Sequence, residues 1–111
     1  MSKGDVVIVF DCGATNVRVI AIDSKGDILA SESFPNSASK DTSFPSYRIW
    51  DTDEIWEKMC IGSRKVASQV RKDEIVGVTV TTFGVDGTLF DKSGNMLYPV
   101  ISWQCERTVP I

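Results

Sequence analysis

Val6-Val7-Ile8-Val9-Phe10-Asp11-Cys12-Gly13-Ala14-Thr15-Asn16-Val17-Arg18-Val19-Ile20-Ala21-Ile22 is an apolar run, a short polar break and a second apolar run. β-Branched residues dominate both arms, so the stretch reads as a strand, a tight turn and a returning strand. The first arm ends in the carboxylate of Asp11, and the turn carries Gly13 followed by Thr15 and Asn16, two side chains that donate hydrogen bonds. Gly13 would let the backbone approach a ligand closely. Consecutive turn N–H groups form a nest for an anion, Asp11 can hold a hard cation directly or through water, and Arg18 would add a bidentate phosphate partner. An ordinary hairpin, whose Asp and Gly satisfy only the geometry of the turn, would use the same residues.

Outward from this hairpin, strands are expected at about residues 5–11, 17–23 and 27–34. Asp23-Ser24-Lys25-Gly26-Asp27 and Asp91-Lys92-Ser93-Gly94-Asn95 each place Gly fourth, as a type I turn followed by a left-handed residue requires. Residues 35–45, rich in Ser, Asn, Pro and Thr, read as a surface loop. Asp51-Thr52-Asp53-Glu54 has the form of a helix start, and Ile55, Met59, Gly62, Val66 and Val70 recur at helical spacing. Trp56 and Met59 are expected in the core. Residues 75–82 read as a buried strand, and 88–91 with 96–103 as a further hairpin. The order βββαβββ predicts an α/β domain with one mixed sheet of about five to six strands and a helix on one face. Asp11 and Asp86 are expected at strand ends facing one edge cleft.

The 111 residues are 42% hydrophobic and 24% charged, ordinary for a globular protein with a core of its own. The net charge of −3 and scattered cations offer no basic face to nucleic acid. No apolar run approaches the roughly 18 to 20 residues of a spanning helix, and the first five residues lack the apolar stretch of a signal peptide. Cys12, Cys60 and Cys105 fit neither a disulfide framework nor a zinc spacing, so reduced thiols and a cytoplasmic location are expected. Without a histidine, no Ser-His-Asp, Cys-His or His-metal chemistry can be completed within the chain. Catalysis would have to run on carboxylates, backbone dipoles and a bound metal.

Two further segments carry chemistry. Thr81-Thr82-Phe83-Gly84-Val85-Asp86-Gly87 sets a carboxylate between two glycines after a strand that ends in hydroxyls. Gly84 and Gly87 permit unusual torsions or close ligand approach, and a carboxylate so presented accepts well from vicinal sugar hydroxyls. An Asx-type turn is the plainer reading of the same residues. Ile101-Ser102-Trp103-Gln104-Cys105-Glu106-Arg107-Thr108 places an aromatic beside polar groups at a strand end, a mixture used in carbohydrate sites and also that of a core Trp before a charged loop.

In this order, and over essentially the whole chain, the three segments resemble the amino-terminal part of the FGGY carbohydrate kinases. The resemblance implies an actin-like, ribonuclease H-type ATPase fold in two domains, with residues 1–111 forming the first part of domain I. The rest of domain I and all of domain II are then absent. It implies transfer of the γ-phosphoryl group of MgATP to a sugar hydroxyl. The expected acceptor is a deoxy-ketose, L-fuculose giving L-fuculose 1-phosphate, with L-rhamnulose or another sugar of the family as the alternative. Asp11 matches the family's metal-associated Asp, and Gly13, Thr15, Asn16 and Arg18 match positions on the nucleotide phosphates. Asp86 and Gly84 fall where members bind sugar, and Trp103 and Arg107 match positions near the sugar pocket. Where many members have two hydroxyl residues after the glycine, this chain has Ala14 then Thr15, which removes one hydroxyl contact to phosphate.

The family's catalytic-base Asp, second phosphate motif and adenosine motif would lie beyond residue 111. The expectation is therefore a fragment, inactive alone and prone to self-association, whose partners are sugar and ATP but neither nucleic acid nor membrane. Two other classes compete. A non-catalytic actin-like module would not need Asp86 between its glycines. A phosphatase with Asp11 as nucleophile would usually want a second Asp where Gly13 stands.

Overall fold

A computed structural model of the chain describes residues 4–84 and 86–105. Strands β1 (Val6–Cys12), β2 (Asn16–Asp23) and β3 (Ile28–Pro35) form an antiparallel meander, as the hairpin reading predicts. Strands β4 (Ser39–Lys40) and β5 (Arg48–Trp50) lead into helix α1 (Thr52–Ala67). A short 3₁₀ turn (Lys72–Glu74) then opens β6 (Ile75–Thr81), and β7 (Val100–Ile101) is the last strand described.

β6 lies parallel to β1, a pairing that needs a crossover connection, and α1 is that crossover. The sheet order is β3-β2-β1-β6. Side chains alternate across a strand. Val6, Ile8 and Cys12 of β1, with Val17, Val19 and Ala21 of β2, are buried on the helix side. Ile55 and Val66 of α1 close the core from above, Val66 with the Val6–Val19 group and Ile55 with Cys12, Val17 and Trp50. Gly62 lets the helix come close: a Cβ there would lie 2.7 Å from Val19 Cγ2 and 3.0 Å from Phe34 Cε2. Asp51 caps α1 as expected, its Oδ1 accepting from Glu54 N at 3.0 Å.

The two matched turns are built alike. Asp23 Oδ1 accepts from the amides of Lys25 and Asp27, and Asp91 Oδ1 from those of Ser93 and Asn95. Gly26 and Gly94 both sit at φ +85°, the left-handed position that favours glycine. The Asn95 amide, helped by Ser93 and Gly94, holds the Asp91 carboxyl below the usual carboxylate range.

Five expectations are corrected. The single sheet of five to six strands is instead a four-stranded mixed sheet and a separate three-stranded one, order β4-β5-β7. One of the three strands of that second sheet comes from the expected loop, because Ser39 and Lys40 pair with β5. The second hairpin is reduced to isolated bridges, Phe90 with Met96 and Gly87 with Ile101, and its return arm pairs with β5. The strand read as buried, β6, is an edge strand whose Val76, Val78 and Val80 are 60–62% exposed; a continuous apolar run shows that a strand is meant to be covered, not by what. Trp56 is 68% exposed and outside the core, since one residue past Ile55 is about 100° around the helix from the buried stripe. Met59 does pack against the core. No described helix is long and apolar enough to cross a membrane.

Candidate functional site

Asp11 is the sixth residue of β1, a strand whose even-numbered side chains face α1, so its carboxylate emerges on the opposite face. The register sets Asp11 against Arg18 and Arg18 against Ser33, giving one polar row across β1, β2 and β3. Arg18 grips Asp11 side-on, with Nη2 2.7 Å and Nε 3.2 Å from Oδ2. The pair is partly exposed and lines an open cavity of about 430 Å³ with Gly13, Thr15, Asn16, Ser31 and Ser33. All five residues expected on the metal and phosphates therefore share one polar depression. Ser31 and Ser33 belong to it too; their alternation along β3 with Glu32 was the available signal.

The turn is tighter than a simple nest. Gly13 N donates to Asn16 O at 2.9 Å, and a Cβ on Gly13 would stand 3.1 Å from that same oxygen. Glycine is thus needed for the closure of the turn itself, and the nest of amides has to come from Ala14 and Thr15. Asn36, which sequence reading passed over, braces the turn. Its Nδ2 donates to Gly13 O and its N to Thr15 O, each at 2.9 Å. Asn16 Nδ2 lies 3.3 Å from Thr15 Oγ1.

The donor set suits magnesium bound through phosphate. Mg²⁺ keeps much of its water and is commonly held by one or two carboxylates together with substrate phosphates. Among the described residues no cluster of three metal-ligating side chains exists, and Asp11 offers the one carboxylate of the depression. Arg18 has to release or share that carboxylate when a cation arrives.

Asp86 stands on the other side of the strand end. Its Oδ2 accepts from the indole Nε1 of Trp50 and from Trp103 N at 3.1 Å. Oδ1 is buried with no partner. Trp50 belongs to the helix-side cluster with Cys12, Val17 and Ile55, and stacks on Phe83 with ring centroids 4.3 Å apart. Next to it a mainly apolar cavity of about 250 Å³ is lined by Cys12, Trp50, Ile55, Met59, Thr82 and Phe83, among others. The expected single cleft is therefore not formed: the polar depression takes Asp11 without Asp86, and the apolar cavity takes Cys12 and Trp50, because the pleat sends the adjacent side chains of Asp11 and Cys12 to opposite faces. The two remain electrostatically close. Burial pushes the Cys12 thiol above its ordinary value, a hydrogen bond with Thr82 opposes this, and the charges of Asp11 and Asp86 both add to the rise.

Neither Gly84 nor Gly87 has the expected unusual backbone, since positive φ occurs only at Gly26 and Gly94 among the described residues, and open space surrounds both. Donors from Trp50 and Trp103, not glycine torsions, place Asp86. The Trp103 amide serves the site, and its ring is 53% exposed at the surface. Arg107 lies outside the described residues. Trp50 was missed by sequence reading; a Trp ending a short strand directly before a helix cap was the signal.

Residues 6–111 match the FGGY family of carbohydrate kinases, N-terminal domain. An L-fuculokinase of Haemophilus influenzae is 45% identical over 111 residues, covering 96% of this chain and 24% of the relative. An L-fuculokinase of Escherichia coli (strain K12) is 44% identical over 109 residues, 98% of this chain and 23% of its own length. The chain thus spans about a quarter of the curated relatives it matches. A gluconate kinase from Lactobacillus acidophilus superposes with a TM-score of 0.77 at 14% identity, over 93% of this chain and 20% of that one. The architecture is accordingly the actin-like ATPase fold shared by these kinases. With its opening hairpin, mixed sheet and crossover helix in place, the chain belongs to the FGGY family of carbohydrate kinases.

Proposed function

We propose that this chain is the amino-terminal part of a cytoplasmic ATP-dependent sugar kinase. The enzyme transfers the γ-phosphoryl group of MgATP to L-fuculose, giving L-fuculose 1-phosphate. One observation carries the reading: Asp11 stands at the end of β1 in a polar depression shared with Thr15, Asn16 and Arg18. The identity of 44–45% to two L-fuculokinases supports the choice of sugar.

Phosphoryl transfer depends on positioning and charge neutralisation more than on covalent chemistry. Asp11 would hold the metal, and the ion, when bound, would neutralise charge developing on the transferred group. The Thr15 hydroxyl and Asn16 amide would donate to the nucleotide phosphates. Arg18, freed from Asp11, would turn its guanidinium to the same oxygens. Across the strand end, Asp86 would accept from sugar hydroxyls beside the open backbone of Gly84, with Trp103 and Arg107 at the pocket wall. The base that takes the proton of the attacking hydroxyl would come from a later segment.

The test is a coupled assay on the complete kinase that carries this chain, offered L-fuculose and L-rhamnulose. Asp11→Asn is expected to lower kcat on the order of a hundredfold or more, with an unchanged circular dichroism spectrum. A near-native rate at saturating Mg²⁺ would remove Asp11 from the metal site. A higher kcat/KM for L-rhamnulose than for L-fuculose would move the substrate to the other sugar.

A further inference from the structure

Trp50 is the only described tryptophan that is fully buried, at 1% exposure. Its backbone pairs with Val100 in the second sheet, and its ring lies flat on Phe83 at an interplanar angle of 6°. The indole is thereby held in one orientation. Indole nitrogen is a donor only, and here it donates to Asp86 Oδ2, the same oxygen that accepts from Trp103 N. Oδ2 is occupied by two protein donors, whereas Oδ1 is buried without one. A buried carboxylate oxygen lacking a partner is costly and calls for an explanation.

We propose that Trp50 is a positioning residue for the sugar: it ties down one oxygen of Asp86 so that the other, Oδ1, is fixed as the acceptor for a ligand hydroxyl. This rests on the reading of Asp86 as a sugar contact. The division of labour has a physical basis. A carboxylate free to rotate would lose orientation on binding, whereas one clamped through Oδ2 presents Oδ1 already set. Tying the clamp to β5 also links the pocket to the helix cap, since Asp51 follows Trp50 directly. Sugar affinity then depends on a residue in the core of the second sheet.

The experiment compares Trp50→Phe, Asp86→Ala and the double variant in the complete kinase, measuring KM for L-fuculose and for ATP together with kcat. Phe keeps an aromatic ring against Phe83 and removes the donor, at the cost of a small cavity where the second indole ring stood. Trp50→Phe is expected to raise the sugar KM about tenfold, in line with losing a hydrogen bond to a charged group, while the ATP KM stays within about twofold. The double variant is expected to match Asp86→Ala, because residues that act through one group are not additive. A rise in sugar KM for Asp86→Ala with none for Trp50→Phe, or fully additive effects, would overturn the positioning role and leave the sugar reading intact. No change in sugar KM for Asp86→Ala would end both.

A second measurement does not depend on the Trp50 variant folding. In the 111-residue chain labelled with ¹⁵N, the Trp50 indole proton should resonate downfield and exchange slowly, and Asp86→Ala should abolish both properties. Trp56→Phe and Trp103→Phe assign the three indole signals. A Trp50 indole that exchanges as fast as that of the exposed Trp56 would refute the bond.

Discussion

Asp11 and Cys12 are neighbours in sequence and opposites in environment. The period-2 alternation of β1 sends the carboxylate to the open face, where Arg18 and Ser33 stand in register, and the thiol to the helix side among Val17, Trp50 and Ile55. Desolvation is the leading reason that Cys12 titrates above its ordinary value. A raised thiol pKa means that the reactive thiolate is scarcer in the folded chain than in the unfolded one, and the gap between the two thiolate populations is widest at alkaline pH, between the unfolded and folded values. Iodoacetamide at about pH 8 should therefore label half-buried Cys60 well ahead of Cys12, and about 8 M urea should bring the two rates together. Peptide mapping reads the difference; equal native rates would contradict the buried position.

Helix α1 is held by its N-cap and by the close approach at Gly62. Asp51→Ala removes the acceptor for Glu54 N and is expected to cost about 1 kcal/mol. Gly62→Ala sets two effects against each other. Helix propensity would improve by about 1 kcal/mol, but the added Cβ would press on Val19, a buried, stiff, β-branched side chain, and on the ring of Phe34. Overpacking of this kind costs about 1–3 kcal/mol. The expected net effect is a lower urea midpoint by circular dichroism with an unchanged slope. A stabilised variant would show that the helix can lift from the sheet without loss.

At the scale of the molecule, the described residues form a long, thin body, 61 × 31 × 22 Å, with a radius of gyration of 17.0 Å. A compact domain of this length would have one of roughly 13 Å. Its β6 edge exposes Val76, Val78 and Val80, and an apolar cavity of about 470 Å³ opens between that strand and α1 beside Ile8 and Phe10. Unpaired apolar edges invite association. The isolated chain is therefore expected to sediment as a dimer or larger species, and Val78→Lys with Val80→Lys to shift it toward monomer. A monomer at about 100 μM without those changes would count against it. Since a transfer site needs groups converging from several segments, the chain alone should not consume ATP in the presence of L-fuculose. Clear consumption that vanishes in Asp11→Asn would overturn this.

Whatever depends on near neighbours in the chain was legible in the sequence: the opening hairpin, the Asp51 cap, the twin turns ending in Gly26 and Gly94, and the family motif around Asp11. Each is set by local sterics, by side-chain bonds a few residues apart, or by the periods of strand and helix. The division into two sheets, the edge position of β6, the exposure of Trp56 and the grip of Trp50 on Asp86 were decided only by tertiary structure. Trp50 and Asp86 are 36 residues apart, and no local pattern encodes which buried donor meets which carboxylate. A period-2 run likewise shows that a strand has two faces, whereas what lies on each face is decided by where the rest of the chain packs.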